Sequence, residues 1–496
     1  QALTVRTPPS VEQESVAARA IWLGLVSILL VFGGPAHAQT IAITDVAVVR
    51  PEHDMIEPGM TVVVVDGRIT AVGIRESVPV PEGATLVSGE GRFVIPGLWD
   101  MHVHSSTDYN QRQVFLPLFI ANGVTGVRDL NGDCFDPCGP FENPIDTVRA
   151  WARDIAAGSL VGPRIVASSQ IIGPPEPGDS SSVEAPVTRE QGRALARELA
   201  ARGVDEIKVY DGIPAEAFYG LLEVGGALGL PVVGHVPLAV PVTEAASAGM
   251  RSMEHLFAVV DQCSATEGEQ RTAVVEARGK GDFERVFANL LTSFENFSLE
   301  KCQPVYQSLA EAETWVVPTL VVHRAPGDVR AWRRHPGIRY LPRNELEYWM
   351  GAVGGMIGLP GGLSHWDYVQ YRIALIARDL HRAGASLLAG SDALATGVFP
   401  GFGLHDELEL LVDAGLTPAE ALVAATVEPA RYLTATDSLG SVVPGKVADL
   451  VLLDGNPLED IGNTRRIRAV LARGRLFDRE ALDGLLRRAE QAAMGR

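Results

Sequence analysis

Apolar and polar residues follow two patterns along the chain. Through the middle, short apolar runs recur, each followed by a polar loop and a stretch with apolar residues at helical spacing. Eight such runs stand out: FVIPGLWDMHVH, GVTGVRDL, PRIVASS, VDEIKVY, LPVVGHV, RSMEHL, TWVVPTLVVH and ASLLAGSD. Between them, TREQGRALARELAARG, AEAFYGLLEVGGALG and DYVQYRIALIARDLHRAG carry the helical spacing and have a glycine near their ends. Strands alternating with helices predict a parallel sheet, and eight units are the number that closes a (β/α)8 barrel. The two ends of the chain read differently. IAITDVAVVRP and MTVVVVDGRITAVG are rich in β-branched residues, and Asp66-Gly67 between two such runs predicts a hairpin. LGSVVPGKVADLVLLDGNPL and IRAVLARGRLF close the chain in the same style.

The expected architecture is α/β: a TIM barrel over residues 93–435 and a small β-sandwich domain built from residues 39–92 and 436–496, with a C-terminal helix. Two loops are long, Gly173 to Pro186 and His323 to about Tyr371. The second carries Trp332, Trp349 and Trp366, an aromatic content that argues for order in what is expected to be a functional lid.

Composition narrows the field. A length of 496 residues with 46% hydrophobic content fits a folded protein with a large core. A net charge of −19 argues against nucleic acid as a partner, because that contact is made by Lys and Arg. The uncharged run Ile21 to Phe32 is short for a membrane span and precedes Ala36-His37-Ala38, a cleavage pattern. Residues 1–38 therefore read as a signal peptide cut after Ala38, giving a secreted or periplasmic protein with no membrane attachment once the leader is removed. Gln1 is not an initiating Met, and the segment before Ile21 is long for a leader and carries Glu12 and Glu14, so translation is expected to start elsewhere. In an oxidising compartment, Cys134, Cys138, Cys263 and Cys302 favour two disulfides over a C-x₃-C metal clip.

Candidate chemistry sits at the strand ends. His102 and His104 are two apart, so alternation turns them to one face, the barrel interior at the end where barrel enzymes keep their active sites. They read as two ligands of one cation, or as two solvent-facing imidazoles. Lys208, flanked by Ile207 and Val209, is either snorkelling to the barrel mouth or held inside for an electrostatic reason. One such reason is uptake of carbon dioxide to form a carbamate that bridges two metals. His235 and His255 close their segments, and Asp392 is the only anion of its run, a ligand or a helix cap. Taken together, three strand-end histidine sites and one anion form the donor set that zinc favours.

These motifs resemble the amidohydrolase superfamily across nearly the whole chain. They include PGLWDMHVH, VTGVRDL, IKVY, GHV, EHL and GSDA, then the tail TVEPARYL and LGSVVPGKVADLVLLDGNPL. Within the superfamily, the chain looks closest to the imidazolonepropionase-like branch, which includes Xaa-Pro and related dipeptidases with two zinc ions. The resemblance implies that His102, His104 and Asp392 hold one metal and that His235 and His255 hold the second. It also implies that N6-carboxylated Lys208 and a water or hydroxide bridge the two. Asp392 is then the catalytic residue, taking the proton from the attacking water and passing it to the leaving amine. HVPLAV, after the fifth-strand histidine, lacks the acid that mononuclear deaminases carry there. The expected activity is hydrolysis of amide or peptide bonds in a small molecule or dipeptide, with a lactonase or deaminase as the alternative. A catalytically inactive binding protein on the same fold is the alternative of another class. No G-x-S-x-G elbow supports a serine hydrolase. Tyr210, on the face of Lys208, and His323, at the end of the seventh run, are candidates for contacting substrate. Asp129 is expected to make a structural hydrogen bond. The sequence allows a homo-oligomer without specifying one.

Overall fold

The computed structural model describes residues 40–105, 111–135, 138, 142–173, 185–324, 329–357 and 364–495. The leader with its cleavage pattern, and most of the Gly173–Pro186 loop, lie outside those residues. No helix among the described residues is long and apolar enough to cross a membrane.

Five strands come first: β1 (Thr40–Arg50), β2 (Met55–Val65), β3 (Arg68–Ile74), β4 (Thr85–Ser88) and β5 (Phe93–Pro96). Seven strands follow: β6 (Leu98–Val103), β7 (Val124–Asp129), β8 (Arg164–Ala167), β9 (Ile207–Val209), β10 (Val232–Gly234), β11 (Ser252–Glu254) and β12 (Trp315–Val317). The last three are β13 (Leu450–Leu453), β14 (Ile467–Ala472) and β15 (Arg475–Phe477).

The two chain ends share one eight-stranded sheet, ordered β15-β14-β13-β5-β1-β2-β3, with β4 on β1. Pairing runs unbroken through it. β13 lies antiparallel to β5, and β5 lies parallel to β1. Alternating side chains Ile41, Ile43, Val62, Val64, Leu450, Leu452 and Leu471 form its core. The Asp66-Gly67 hairpin joins β2 to β3 with both residues at positive φ, 51° and 75°, as a type I′ turn requires.

β6, β7 and β8 pair in parallel, and so do β9 to β12. The bridge Ser168↔Glu206 links the two sets. The eighth run forms no regular strand, yet Leu387 pairs in parallel with Val316 and Ala393 with Val103. Each of the eight segments therefore neighbours the next, and the eighth neighbours the first. The helix Arg189–Arg202 starts at a Thr188/Gln191 capping box and ends at left-handed Gly203, so local chemistry sets both its ends.

Two elements differ from what the sequence predicts. The seventh strand stops at Val317, because Pro318 offers no N–H and Thr319 turns to φ 48°; residues 320–324 are helical. The stretch after His323 is largely helical too, with helices Arg343–Ile357 and Ser364–Arg382. Its Trp332 and Trp349 are buried with Phe399.

Four helices, Phe257–Cys263, Glu267–Gly279, Phe283–Glu295 and Leu299–Glu311, separate β11 from β12. Disulfides join Cys134 to Cys138 and Cys263 to Cys302, the second tying the first helix of this insert to its last.

Candidate metal centre

Every residue of β6 is buried. Its alternation, continued one residue past the strand, turns Asp100, His102 and His104 to one face. The Nε2 atoms of His102 and His104 lie 3.3 Å apart. Asp392 Oδ1 stands 3.0 Å from His104 Nε2 and 3.3 Å from His102 Nε2. These three residues offer ligand atoms that all lie within 4.8 Å of one another. Asp392 reaches this position from a left-handed backbone, φ 60°, with its N–H donating to His102 O at 2.7 Å. A β-carbon on Gly390 would stand 2.8 Å from His102 Cβ and 2.9 Å from His102 N, so the eighth segment approaches β6 only as glycine.

The other imidazoles close around this group. The His255 ring lies 4.8 Å from that of His102 and 4.8 Å from that of His235. His235 stacks on Tyr210, centroids 4.0 Å apart. His255 Nδ1 lies 2.7 Å from Thr319 Oγ1, whose own proton goes to Pro318 O at 2.8 Å. The His255 Nε2 is thus left bare on the side of Asp392, 3.9 Å from its Oδ2.

Lys208, at the centre of β9, is fully buried, and its Nζ has no hydrogen-bond partner. Burial lowers its pKa to about 8, which favours the neutral amine that carbon dioxide requires. Its charge in turn lowers the pKa of His102, His235 and His255. Burial, partly offset by Asp392, brings His102 to about 4, and burial holds His235 and His255 well below the usual imidazole range. All three are neutral donors at physiological pH. Burial pushes the Asp392 carboxyl up, but His102 and His104 beside it hold it well below the usual carboxylate range.

Four imidazoles and one carboxylate, types that bind zinc, therefore converge with one buried amine. A buried amine without a partner beside neutral imidazoles is the environment that a carbamate and a cation would complete. His323 is buried on the short helix after β12, its ring 6.3 Å from that of His255 and 4.9 Å from that of Phe257. Asp129 accepts from Ser105 Oγ at 3.0 Å and from Asn131 N at 3.1 Å, a structural role.

Comparison with known proteins agrees with this geometry. The amidohydrolase family model matches residues 368–477. An imidazolonepropionase of Streptomyces griseus subsp. griseus is 26% identical over 406 residues, 79% of this chain and 85% of the relative. A Paracoccus denitrificans adenine deaminase is 36% identical over 70 residues, 14% of this chain, but the match spans only 12% of that enzyme's length. Among solved structures, a Bifidobacterium longum protein assigned as a prolidase superposes at TM-score 0.63 with 25% identity, covering 91% of this chain and 99% of that one. Bottromycin amidohydrolase superposes at 0.67, also with 25% identity, covering 92% and 90%. Over most of its length the chain is similar to members of the amidohydrolase superfamily.

Beneath this candidate centre lies a buried polar chain that the sequence reading missed. His102 Nδ1 lies 2.8 Å from Glu254 Oε2. Arg128, fully buried, donates to Glu254 Oε1 at 2.8 Å, to Ser252 Oγ at 2.8 Å, to Met101 O at 2.6 Å and to Tyr432 OH at 3.0 Å. Tyr432 donates in turn to Glu206 at 2.5 Å. Burial raises the Glu254 carboxyl, but Arg128 and His102 outweigh it and hold it well below the usual range. The available signal was a charged residue inside each of two apolar runs, Arg128 in VTGVRDL and Glu254 in RSMEHL.

Proposed function

We propose that the chain is a metal-dependent hydrolase that cleaves amide or peptide bonds of small substrates, on a closed (β/α)8 barrel. His102, His104 and Asp392 would hold one divalent cation and His235 and His255 a second, with N6-carboxylated Lys208 between them and zinc the expected metal. When bound, such a pair supplies Lewis acidity, making water a stronger acid near neutral pH and polarising a carbonyl. Asp392 is placed to accept a proton from the attacking water and to return it to the leaving amine. Its depressed pKa keeps it ionised for the first of those steps. Tyr210, stacked on His235, is the candidate substrate contact; His323 lies beyond His255.

The single observation that carries this reading is the convergence of His102, His104, His235, His255 and Asp392, from four segments, with a fully buried lysine that has no partner. The branch of relatives supports amide substrates. The test is metal analysis of the purified protein followed by assays on dipeptides and N-acyl amino acids. About two zinc equivalents per chain with turnover of an amide supports the proposal. A metal-free active protein sinks it, and turnover of lactones alone replaces amides with esters.

A further inference from the structure

We propose that Glu254 is a positioning residue that locks the tautomer of His102. An imidazole can bind a cation through Nε2 only if its proton sits on Nδ1, and the partner of Nδ1 decides that. Here the partner is a carboxylate, which can only accept. Glu254 Oε2, 2.8 Å away, therefore keeps the proton on Nδ1 and leaves the Nε2 lone pair facing His104 and Asp392. The inference rests on the reading of His102 as a metal ligand.

The rest of the chain explains why Glu254 stays ionised and still. Its other oxygen takes hydrogen bonds from both Arg128 and Ser252, at 2.8 and 2.7 Å. Arg128 is braced by Met101 O and Tyr432 OH, so the guanidinium cannot swing away. The line His102–Glu254–Arg128–Tyr432–Glu206 thus crosses from β6 through β11 and β7 to the helix Val427–Tyr432 and to the residue before β9. It gives the Tyr of TVEPARYL a task at the centre from which its own segment is remote. Thr319 holds His255 in the same way, with its hydroxyl proton committed to Pro318 O.

The backbone makes room for this arrangement. Along a strand, neighbours point to opposite faces, so Glu254 and His255 should not both look inward. His255 and Leu256 adopt φ 66° and 65°, which re-aims the imidazole after Ser252 and Glu254 have taken the inward register. Such a conformation in two successive non-glycine residues is the kind of strain found at functional sites.

The experiment compares wild type, Glu254→Gln and Tyr432→Phe in zinc affinity, by chelator competition on the metal-stripped proteins, together with their melting temperatures. A glutamine can donate to Nδ1 and so permits the wrong tautomer. Glu254→Gln should bind zinc about 10- to 100-fold more weakly. Tyr432→Phe, which loosens Arg128 without removing the Glu254 carboxylate, should melt lower and lose clearly less zinc affinity than Glu254→Gln. Equal affinities in wild type and Glu254→Gln overturn the inference, as does an equal loss in both variants, which marks a scaffold alone. Nitrogen-15 histidine spectra of the stripped wild type decide the matter if Glu254→Gln fails to fold: His102 protonated on Nδ1 supports the inference, and protonated on Nε2 overturns it. A wild type that takes up no zinc overturns the metal centre itself, and the inference with it.

Discussion

At the scale of single residues, the proposed function gives Asp392 two duties that one substitution can separate. Asparagine keeps an oxygen for a cation but cannot take up a proton. Asp392→Asn should therefore lower kcat by about 10²- to 10⁴-fold, the usual worth of a general base, while zinc content stays near that of wild type. Full activity in the variant removes Asp392 from proton transfer. Gly390 has a steric duty. An alanine there would press its methyl within 2.8 Å of His102 Cβ and 2.6 Å of Val317 Cγ1, both in packed strands that cannot yield cheaply. Gly390→Ala should cost about 1–3 kcal/mol of stability and reduce zinc content, read by denaturant unfolding and metal analysis. The candidate ligands stood out in the sequence because His104, His235, His255 and Asp392 are polar groups at the ends of apolar runs, and Lys208 is a cation inside one. Glu254 did not, because strict alternation gives the inward face to only one of Glu254 and His255, and only the coordinates show the left-handed turn that admits both.

At the scale of elements, legibility followed local signals. The helix Arg189–Arg202 was readable at both ends from Thr188, Gln191 and Gly203. The seventh strand was overrun because TWVVPTLVVH is apolar throughout, and its break depends on Pro318 and Thr319 alone. A consequence of that break is that residues 320–324 begin a short helix whose Val321 N–H donates to Glu407 Oε2 at 2.8 Å. Glu407 lies fully buried on the helix Phe402–Ala414, and burial pushes its pKa to about 8. The folded state then holds a proton that the unfolded chain releases in the ordinary glutamate range. Stability contributed by this group is full below that range and falls as pH rises toward 8. Glu407→Gln keeps the accepting oxygen and removes the titration. Unfolding measured at pH 5 and pH 8 should show a shallower decline for the variant than for wild type; identical slopes would show Glu407 ionised at an ordinary pKa.

At the scale of the whole molecule, the fold holds together groups that the chain keeps far apart. His102 and Asp392 lie on the first and eighth segments, and those segments meet through Asp392 N to His102 O and the bridge Val103↔Ala393. The outer sheet likewise closes the chain, with β5 from the beginning antiparallel to β13 from the end. Its division between the two termini was legible in the β-branched runs, whereas its single unbroken pairing was not, since strand order depends on partners that are distant in sequence. The metal centre should therefore act as a clasp across segments one, four, five, six and eight. Cations that bind the folded state alone stabilise it by mass action, about 4 kcal/mol per site at a thousandfold excess over Kd. Stripping them also leaves Asp392, the imidazoles and the Lys208 amine facing one another without a charge to organise them. Chelation followed by dialysis should abolish turnover and lower the melting temperature by several degrees, and zinc supplied with bicarbonate should restore both. Bicarbonate enters because, on the proposed function, a carbamate on Lys208 would have to re-form for a second cation to be held; zinc alone should restore less. A stripped protein that melts with the wild type would mean the five segments are held by their apolar packing alone.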